Sequence, residues 1–166
     1  MSEKKSEFNI AGLVNNDGCF DLQFRKDTHH ERTNAPTYYR WKIQFVITSP
    51  KTHIGVLQKV KKMVGCGTVS VTKEQARFSV QKIEDIAEVI VPFFNAHKLT
   101  DNKKKDFELW KRAVSIISKN KGKNIRAWKK HDLLQLLQIH ASSVRYKNKP
   151  KKPKWMAAAK AMAKSY

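Results

Sequence analysis

Apolar residues change from helical spacing to strict alternation twice along the chain, and this change restricts the possible folds more than any other feature. Phe20, Leu22 and Phe24 alternate with polar residues directly after a short helical segment, and the alternation returns over 37–48. A second helical segment then leads into a hairpin-like stretch over 68–81. Alternation of this kind is typical of antiparallel strands with one buried face. We therefore predict an α+β protein with a four-stranded antiparallel sheet and helices on one of its faces.

Five helices are predicted from the spacing of apolar side chains. They cover residues 7–17, a segment that starts at Ser49 and ends before Gly65, and residues 82–94, 101–119 and 130–143. Ser49 is expected to be the N-cap of the second helix, with Pro50 in its first turn. The third helix is expected to stop near Pro92, because proline removes a hydrogen bond from a helix interior.

One domain with a basic extension accounts for the length and composition of the chain. Its 166 residues are 40% hydrophobic and 10% aromatic, which is enough for a single core. After Tyr146 the sequence changes to KNKPKKPK and then to an alanine-rich end. We therefore expect one domain over 1–146 and a basic C-terminal extension over 147–166.

The charge balance favours a polyanionic partner. The chain has 34 Lys and Arg against 14 Asp and Glu, for a formal net charge of +20. Such a surplus destabilises a compact protein by self-repulsion, so nucleic acid is the expected partner. A membrane is not expected, since no apolar run approaches the ~20 residues of a spanning helix.

The cellular setting is predicted from the first residues and the two cysteines. The N-terminus lacks the apolar core of a signal peptide. Cys19 and Cys66 show no metal-binding spacing, which is typical of reduced thiols in an intracellular protein. We expect the cytoplasm or nucleoid of a prokaryote, or an organelle.

The polar face of the predicted sheet carries side chains that can read nucleobases. Arg and Lys can bind the edge of guanine, and Gln can bind adenine, in the major groove. An ordinary solvated sheet face is the alternative interpretation. The residues expected to contact DNA are Asp21, Gln23, Arg25, Arg40, Lys42, Gln44, Ser70, Thr72, Gln75, Arg77 and Ser79.

The stretch IAGLVNNDGCF is unusual because it combines a glycine with a terminal acid in one short helix. Gly12 costs about 1 kcal/mol relative to alanine in a helix interior. Asp17 is poorly placed at a helix C-terminus, where the macrodipole is negative. Something close to Asp17 should therefore compensate for this unfavourable position.

This stretch resembles the motif of the LAGLIDADG homing endonucleases. Residues 10–14 match the LAGLI part, and Asp17 and Gly18 match the closing DG. The segments FVITSPK, KKMVGCGTV and KKKDFELWKRAV are similar to later elements of that family. The resemblance implies an αββαββα fold in which the motif helices of two copies pack together. It places Ala11, Gly12 and Asn15 at a dimer interface.

Because only one motif is present, the resemblance implies a homodimer with a saddle of eight strands on a long pseudo-palindromic DNA site. The implied reaction is a double-strand break by phosphodiester hydrolysis, with Mg²⁺ bound at Asp17 and Gly18. Four further side chains are candidates for supporting catalysis, with Lys98 as a weaker fifth. They are Ser49, His53, Lys103 and Lys104.

Two departures from the motif leave other functions open. Asn15 replaces the first motif acid, and Asn16 replaces the small residue after it. An intron maturase, which is an RNA-binding splicing cofactor on the same fold, is the main alternative, with intron RNA as partner. A plain basic nucleic-acid-binding protein is the third, and it would bind without sequence preference. Retention of Asp17 favours cleavage, because RNA binding alone does not require it.

Overall fold

The protein contains one four-stranded antiparallel sheet, as the sequence predicts. The computed structural model describes residues 9–28, 37–147 and 155–164. The sheet has the order β1-β2-β4-β3, so β1 and β3 are its edges. Its strands are β1 Gly18–Thr28, β2 Thr37–Pro50, β3 Thr68–Val71 and β4 Gln75–Val80.

Helices of the described residues cover the apolar face of this sheet. The first, α1, ends where β1 begins, and α5 packs against β1 and β2. The helices are α1 Ile10–Asp17, α2 Ile54–Val64, α3 Ile83–Asp85, α4 Val91–Ala96, α5 Asp101–Lys119, α6 Lys130–Ser143 and α7 Met156–Lys164. The predicted bounds of α5 and α6 are confirmed. The first two residues predicted for α1 lie outside the described part.

The start of the second helix was predicted wrongly. Ser49 pairs with Ala76 and Pro50 pairs with Gln75, so β2 continues through both residues. A short 3₁₀ turn follows, and its N-cap position is Pro50, without a side-chain capping hydrogen bond. Ser49 is therefore a buried strand residue and not an N-cap. The partner strand β4, distant in sequence, overrides the local helix-start signal.

The predicted stop at Pro92 is also wrong, because helical structure continues to Ala96. A π-helical turn, Ile86–Ile90, joins α3 to α4. Pro92 lies in the first turn of α4, directly after this turn. At such a position the missing N–H removes no regular i→i−4 hydrogen bond.

Aromatic rings form the centre of the core between the sheet and the helices. The Phe20 ring lies 5.3 Å from Phe45, 5.2 Å from Phe107 and 5.1 Å from Trp110, measured between centroids. All four side chains are at most 2% exposed. Full burial of each such ring contributes about 1.5–3 kcal/mol to folding. This core fixes β1, and with it the end of α1, against α5.

The C-terminal helix α7 packs on α6, with Ala159 and Ala163 buried. Residues 148–154, which hold four of the seven lysines of the predicted basic extension, lie outside the described part. The boundary between 146 and 147 therefore stays a prediction. None of the helices among the described residues is both long and apolar enough to cross a membrane.

Candidate active site and nucleic-acid interface

The junction between α1 and β1 holds the acidic residue of the motif at the surface. Asp17 is the last residue of α1, and it is exposed. Gly18 follows, and its N–H donates a hydrogen bond to the Val14 carbonyl. A Cβ on Gly18 would lie 2.7–2.8 Å from Val14 atoms, two of which belong to the backbone. Only glycine fits here, so this close contact fixes where the Asp17 carboxylate leaves the helix.

Lys103 is the candidate lysine that the structure brings to this junction. Its Nζ donates to the Gly18 carbonyl at 2.7 Å, and the side chain is half-buried. Burial lowers the pKa of the Lys103 amine from its usual range, while the nearby Asp106 carboxylate acts in the opposite direction. Lys98 and Lys104 are both exposed. The geometry therefore favours Lys103 among the predicted lysines.

The same contact bears on the predicted role of Gly18 as a metal-binding residue. Its carbonyl oxygen already accepts the Lys103 ammonium. A metal ion on that oxygen would face a positive charge at hydrogen-bond distance. Asp17 is thus the better candidate ligand of the two.

Ser49 and His53 lie at the same end of the sheet as Asp17. Gly18 pairs with Ile47, so the last residues of β2 adjoin the α1–β1 junction. Ser49 is 5% exposed and faces the core side of its strand, whereas His53 is exposed at the end of the 3₁₀ turn. The predicted catalytic role is therefore better supported for His53 than for Ser49.

The exposed side of α1 contains the residues predicted at a dimer interface. Ile10 and Val14 point into the core, whereas Ala11, Gly12 and Asn15 are partly exposed. The atoms nearest to a Cβ on Gly12 belong to the Asn9 side chain, the first at 3.0 Å. That side chain is the N-cap of α1 and accepts the Gly12 N–H, so a Cβ here would require the cap to shift.

Asn15 links α1 to the start of α5. Its Oδ1 accepts hydrogen bonds from the Thr100 backbone N–H at 3.0 Å and from the Thr100 hydroxyl at 3.2 Å. Thr100 is the N-cap residue of α5, and Lys103 lies in the first turn of that helix. The contact holds the start of α5 beside the motif helix.

A hydrogen-bond network crosses three strands on the polar face of the sheet. Asp21 Oδ2 accepts from Gln23 Nε2 and from Gln44 Nε2, each at 2.7 Å. Arg77 then donates to Gln44 Oε1 at 3.3 Å. Gln44 is only 5% exposed, so its predicted contact with a base is not available in this arrangement. Asp21 and Gln44 instead orient Gln23, which is half-buried, and Arg77, which is exposed.

Cations accumulate next to this network. Arg25 pairs directly with Arg40 across β1 and β2, and Lys42 lies opposite Gln23. Burial lowers the pKa of Lys42, and the surrounding charges of Arg25, Arg40 and Arg77 lower it further. Like charges opposite one another destabilise a sheet, so this surface is suited to an anion that neutralises them.

The predicted DNA-contacting residues of β3 and β4 also lie on this side, close to the turn between the strands. Ser70 pairs with Arg77, and Ser79 pairs with Thr68. The Thr72 hydroxyl accepts from the Gln75 backbone N–H at 3.2 Å and so belongs to the turn. Sequence reasoning missed Thr48, which lies opposite Arg77, and Thr68. The same alternation would have found both.

A buried ion pair near Lys103 was also missed. Lys147 Nζ lies 2.8 Å and 3.1 Å from the two carboxylate oxygens of Asp106 and donates to the Phe20 carbonyl. Lys147 was expected in a basic arm, but its charge is neutralised within the domain. Burial raises the pKa of the Asp106 carboxyl, and the Lys147 ammonium opposes that shift.

Comparison with known proteins identifies the family. A family profile described as LAGLIDADG endonuclease matches residues 10–114, which is more than half of the chain. The chain belongs to the LAGLIDADG endonuclease family. The resemblance inferred from the sequence is thereby confirmed.

One curated relative and two solved structures illustrate the similarity. A probable intron-encoded endonuclease 3 of Neurospora crassa is 26% identical over 110 residues, which are 65% of this chain and 20% of the relative. The chain thus spans about a fifth of that protein. The homing endonuclease I-TnaI superposes with a TM-score of 0.68 at 20% identity, covering 93% of this chain and 95% of that one. I-SmaMI, bound to an uncleaved DNA target with calcium ions, superposes with a TM-score of 0.68 at 18% identity. That match covers 90% of this chain and 47% of I-SmaMI. These similarities confirm the homing-endonuclease fold.

Proposed function

We propose that this protein is a site-specific, metal-dependent DNA endonuclease that makes a double-strand break as a homodimer. The observation that carries the proposal is the contact between Lys103 and the Gly18 carbonyl, directly beside the exposed Asp17. The Lys103 ammonium is thereby held at the residue that follows Asp17, at the end of a cationic sheet face. A protein that only binds nucleic acid does not require this acid.

Asp17 fits Mg²⁺ as one ligand among several. In the described part of the chain, no group of three or more His, Cys, Asp or Glu side chains could hold a metal ion by itself. Mg²⁺ prefers carboxylate oxygen and commonly keeps waters and binds substrate phosphates beside one or two carboxylates. An exposed Asp17, with a second Asp17 from another copy and the scissile phosphate, meets that preference. The ion would supply an activated water and stabilise charge on the phosphate oxygens.

The residues of this chain would orient the DNA for that reaction. Lys103 uses one donor for Gly18, which leaves donors for a phosphate oxygen or a water at the same junction. Arg25, Arg40 and Lys42 would bind DNA along the sheet. Gln23 and Arg77, oriented by the network, would contact bases.

Dimerisation through α1 is supported by Gly12 and by the size of the similar proteins. Gly12 is partly exposed and has no Cβ, so a second helix could approach α1 closely at this position. The chain matches 47% of I-SmaMI, a length that corresponds to about two such units. Two copies related by twofold symmetry would recognise a pseudo-palindromic site.

The decisive experiment compares the wild type with Asp17→Asn on a library that contains intron-insertion junctions. In Mg²⁺ the wild type is expected to make a unique double-strand cut, and the variant is expected to make none. In Ca²⁺ both proteins should bind the cut site, because the substitution removes a charge and preserves shape. If the Asp17→Asn variant cuts as fast as the wild type, Asp17 is not the catalytic residue.

A binding experiment with intron RNA separates this proposal from the maturase alternative. Specific binding to intron RNA without any DNA cleavage would favour the maturase. Weak binding to both nucleic acids without sequence preference would favour a plain basic binding protein.

A further inference from the structure

The exposed edge of β1 is completed by side chains. Among the described strands, β1 has β2 as its only neighbour in the sheet. On its other side, the Gly18 carbonyl accepts from Lys103 and the Phe20 carbonyl accepts from Lys147. Gly18 and Phe20 are two residues apart, so their Cα atoms lie roughly 6.6–6.8 Å apart along the strand. Two ammonium groups therefore occupy neighbouring positions on one edge.

The second ammonium has no donor left for a substrate. Lysine has three N–H donors, and those of Lys147 are accounted for by Phe20 and by both oxygens of Asp106. The Lys147 side chain is 21% exposed and that of Asp106 is 1% exposed. Lys147 is thus placed to neutralise Asp106 and not to bind a phosphate.

The neutralisation matters for Lys103 because of where Asp106 lies. The two residues are three apart on α5, a spacing that brings side chains to the same helix face. Without Lys147, Asp106 would be a buried carboxylate without its ion pair, and Lys103 would be a cation within reach. An uncompensated buried charge is strongly unfavourable, so Lys103 would exchange the Gly18 carbonyl for the Asp106 carboxylate.

We propose that Lys147 is a positioning residue for the cleavage reaction, because its ion pair with Asp106 keeps Lys103 at the Gly18 carbonyl beside Asp17. The proposal rests on the proposed endonuclease function. Lys147 follows the 3₁₀ turn Val144–Tyr146 at the end of α6. The proposal makes Lys147 part of the catalytic end of the molecule, although this residue lies 127 positions after its partner Phe20.

The test uses Lys147→Met, Asp106→Asn and the double variant. The control is Lys105→Met, which also replaces a lysine by methionine but removes an exposed charge on α5. In single-turnover cleavage with Mg²⁺, Lys147→Met should be about 10–100-fold slower, because small displacements of positioned groups cost that much. Its affinity for DNA in Ca²⁺ should stay within a few-fold of the Lys105→Met control. The double variant should recover most of the rate, because the competing carboxylate is gone.

Several outcomes would overturn the proposal. A Lys147→Met variant that loses affinity and keeps its rate would show a phosphate contact. An unchanged rate, or a double variant as slow as Lys147→Met, would show that Asp106 does not compete for Lys103. If Lys147→Met does not fold, the cleavage rate of the double variant is compared with that of the wild type. A rate close to that of the wild type supports the proposal, and a rate about 10–100-fold lower rejects it.

A crystal structure of Lys147→Met without DNA separates this proposal from the proposed function. We expect Lys103 Nζ at the Asp106 carboxylate in that structure. Lys103 still bound to Gly18 would reject the positioning role, even if the wild type cleaves DNA. A wild type without nuclease activity would reject the proposed function, while the position of Lys103 would still be decided.

Discussion

Single residues at the α1–β1 junction serve two different requirements, and the glycines show this most clearly. Gly18 is required by the fold, because a Cβ would lie within 2.8 Å of the Val14 backbone. A Cβ on Gly12 would instead meet the side chain of Asn9, the N-cap residue of α1, at 3.0 Å. The motif therefore combines one glycine that permits the turn with another that, in the proposed dimer, leaves room for a partner helix.

The requirement at Gly18 can be measured directly. We expect Gly18→Ala to lower the free energy of unfolding by about 1–3 kcal/mol, the usual cost of overpacking. Gly55→Ala is the matched control, because a Cβ there meets nothing within 4 Å. In helix α2 that change should raise stability by about 0.4–1 kcal/mol. Urea denaturation of both variants measures the two effects. A Gly18→Ala variant as stable as the wild type would show that the Val14 backbone can shift to accept the added Cβ.

Arg77 gives the prediction for base recognition. Arg77→Ala should relax sequence preference at one position of each half-site by about 1–3 kcal/mol, if the contact with guanine is bidentate. Lys61→Ala, an exposed change on α2, is the control. Competition binding in Ca²⁺ against a library of substituted sites measures the preference. A uniform loss for all sites would assign Arg77 to phosphate contact.

At the scale of elements, the sheet could be predicted from the sequence and several joins could not. The alternation at Phe20, Leu22 and Phe24 reports directly which face is buried. The helix-start signal at Ser49 was misleading, because β4 extends the ladder to that residue. The Lys147–Asp106 pair joins residues 41 positions apart, and no local pattern announces such a contact.

The candidate site shows the same limit. The motif indicated Asp17 as the candidate acid. The lysine run limited the candidates for the supporting cation to Lys103 and Lys104, with Lys98 as a weaker one. Choosing Lys103 required the direction in which α5 presents each side chain. The burial of Gln44 required the register that places it against Asp21 and Arg77.

Helix α1 carries the prediction for assembly. Gly12→Leu should disrupt the homodimer, since its side chain would occupy the space proposed for the second helix. Gly55→Leu adds the same side chain to an exposed position on α2 and should leave the assembly unchanged. Sedimentation of both variants, free and bound to DNA, measures the oligomeric state. A wild type that is monomeric in both conditions would remove the saddle arrangement.

At the scale of the whole molecule, the formal net charge of +20 is divided between the sheet face that is proposed to bind DNA and other basic segments. Arg25, Arg40 and Lys42 form part of the sheet face. Four lysines of the predicted extension, at 149, 151, 152 and 154, lie outside the described residues. Lys147, at the start of that extension, is held by Asp106 and belongs to the domain.

These lysines are expected to contribute affinity without sequence preference. Replacing Lys149, Lys151, Lys152 and Lys154 by serine should reduce the slope of log affinity against log salt by roughly 0.9 for each lost phosphate contact. Replacing the exposed Lys59, Lys61 and Lys62 removes three positive charges from α2, on the apolar side of the sheet, and should change the slope less. An unchanged slope for the extension variant would show that these residues serve another partner.

The direct pairing of Arg25 with Arg40 has a consequence for the stability of the folded protein. Like charges opposite one another on neighbouring strands repel, and a bound polyanion, such as the DNA of the proposed function, would relieve that repulsion. Ligands that bind only the folded state increase its population by mass action. Under the proposed function, nucleic acid of any sequence would therefore stabilise the folded chain, and a larger fraction of the protein would be folded on DNA than free in solution.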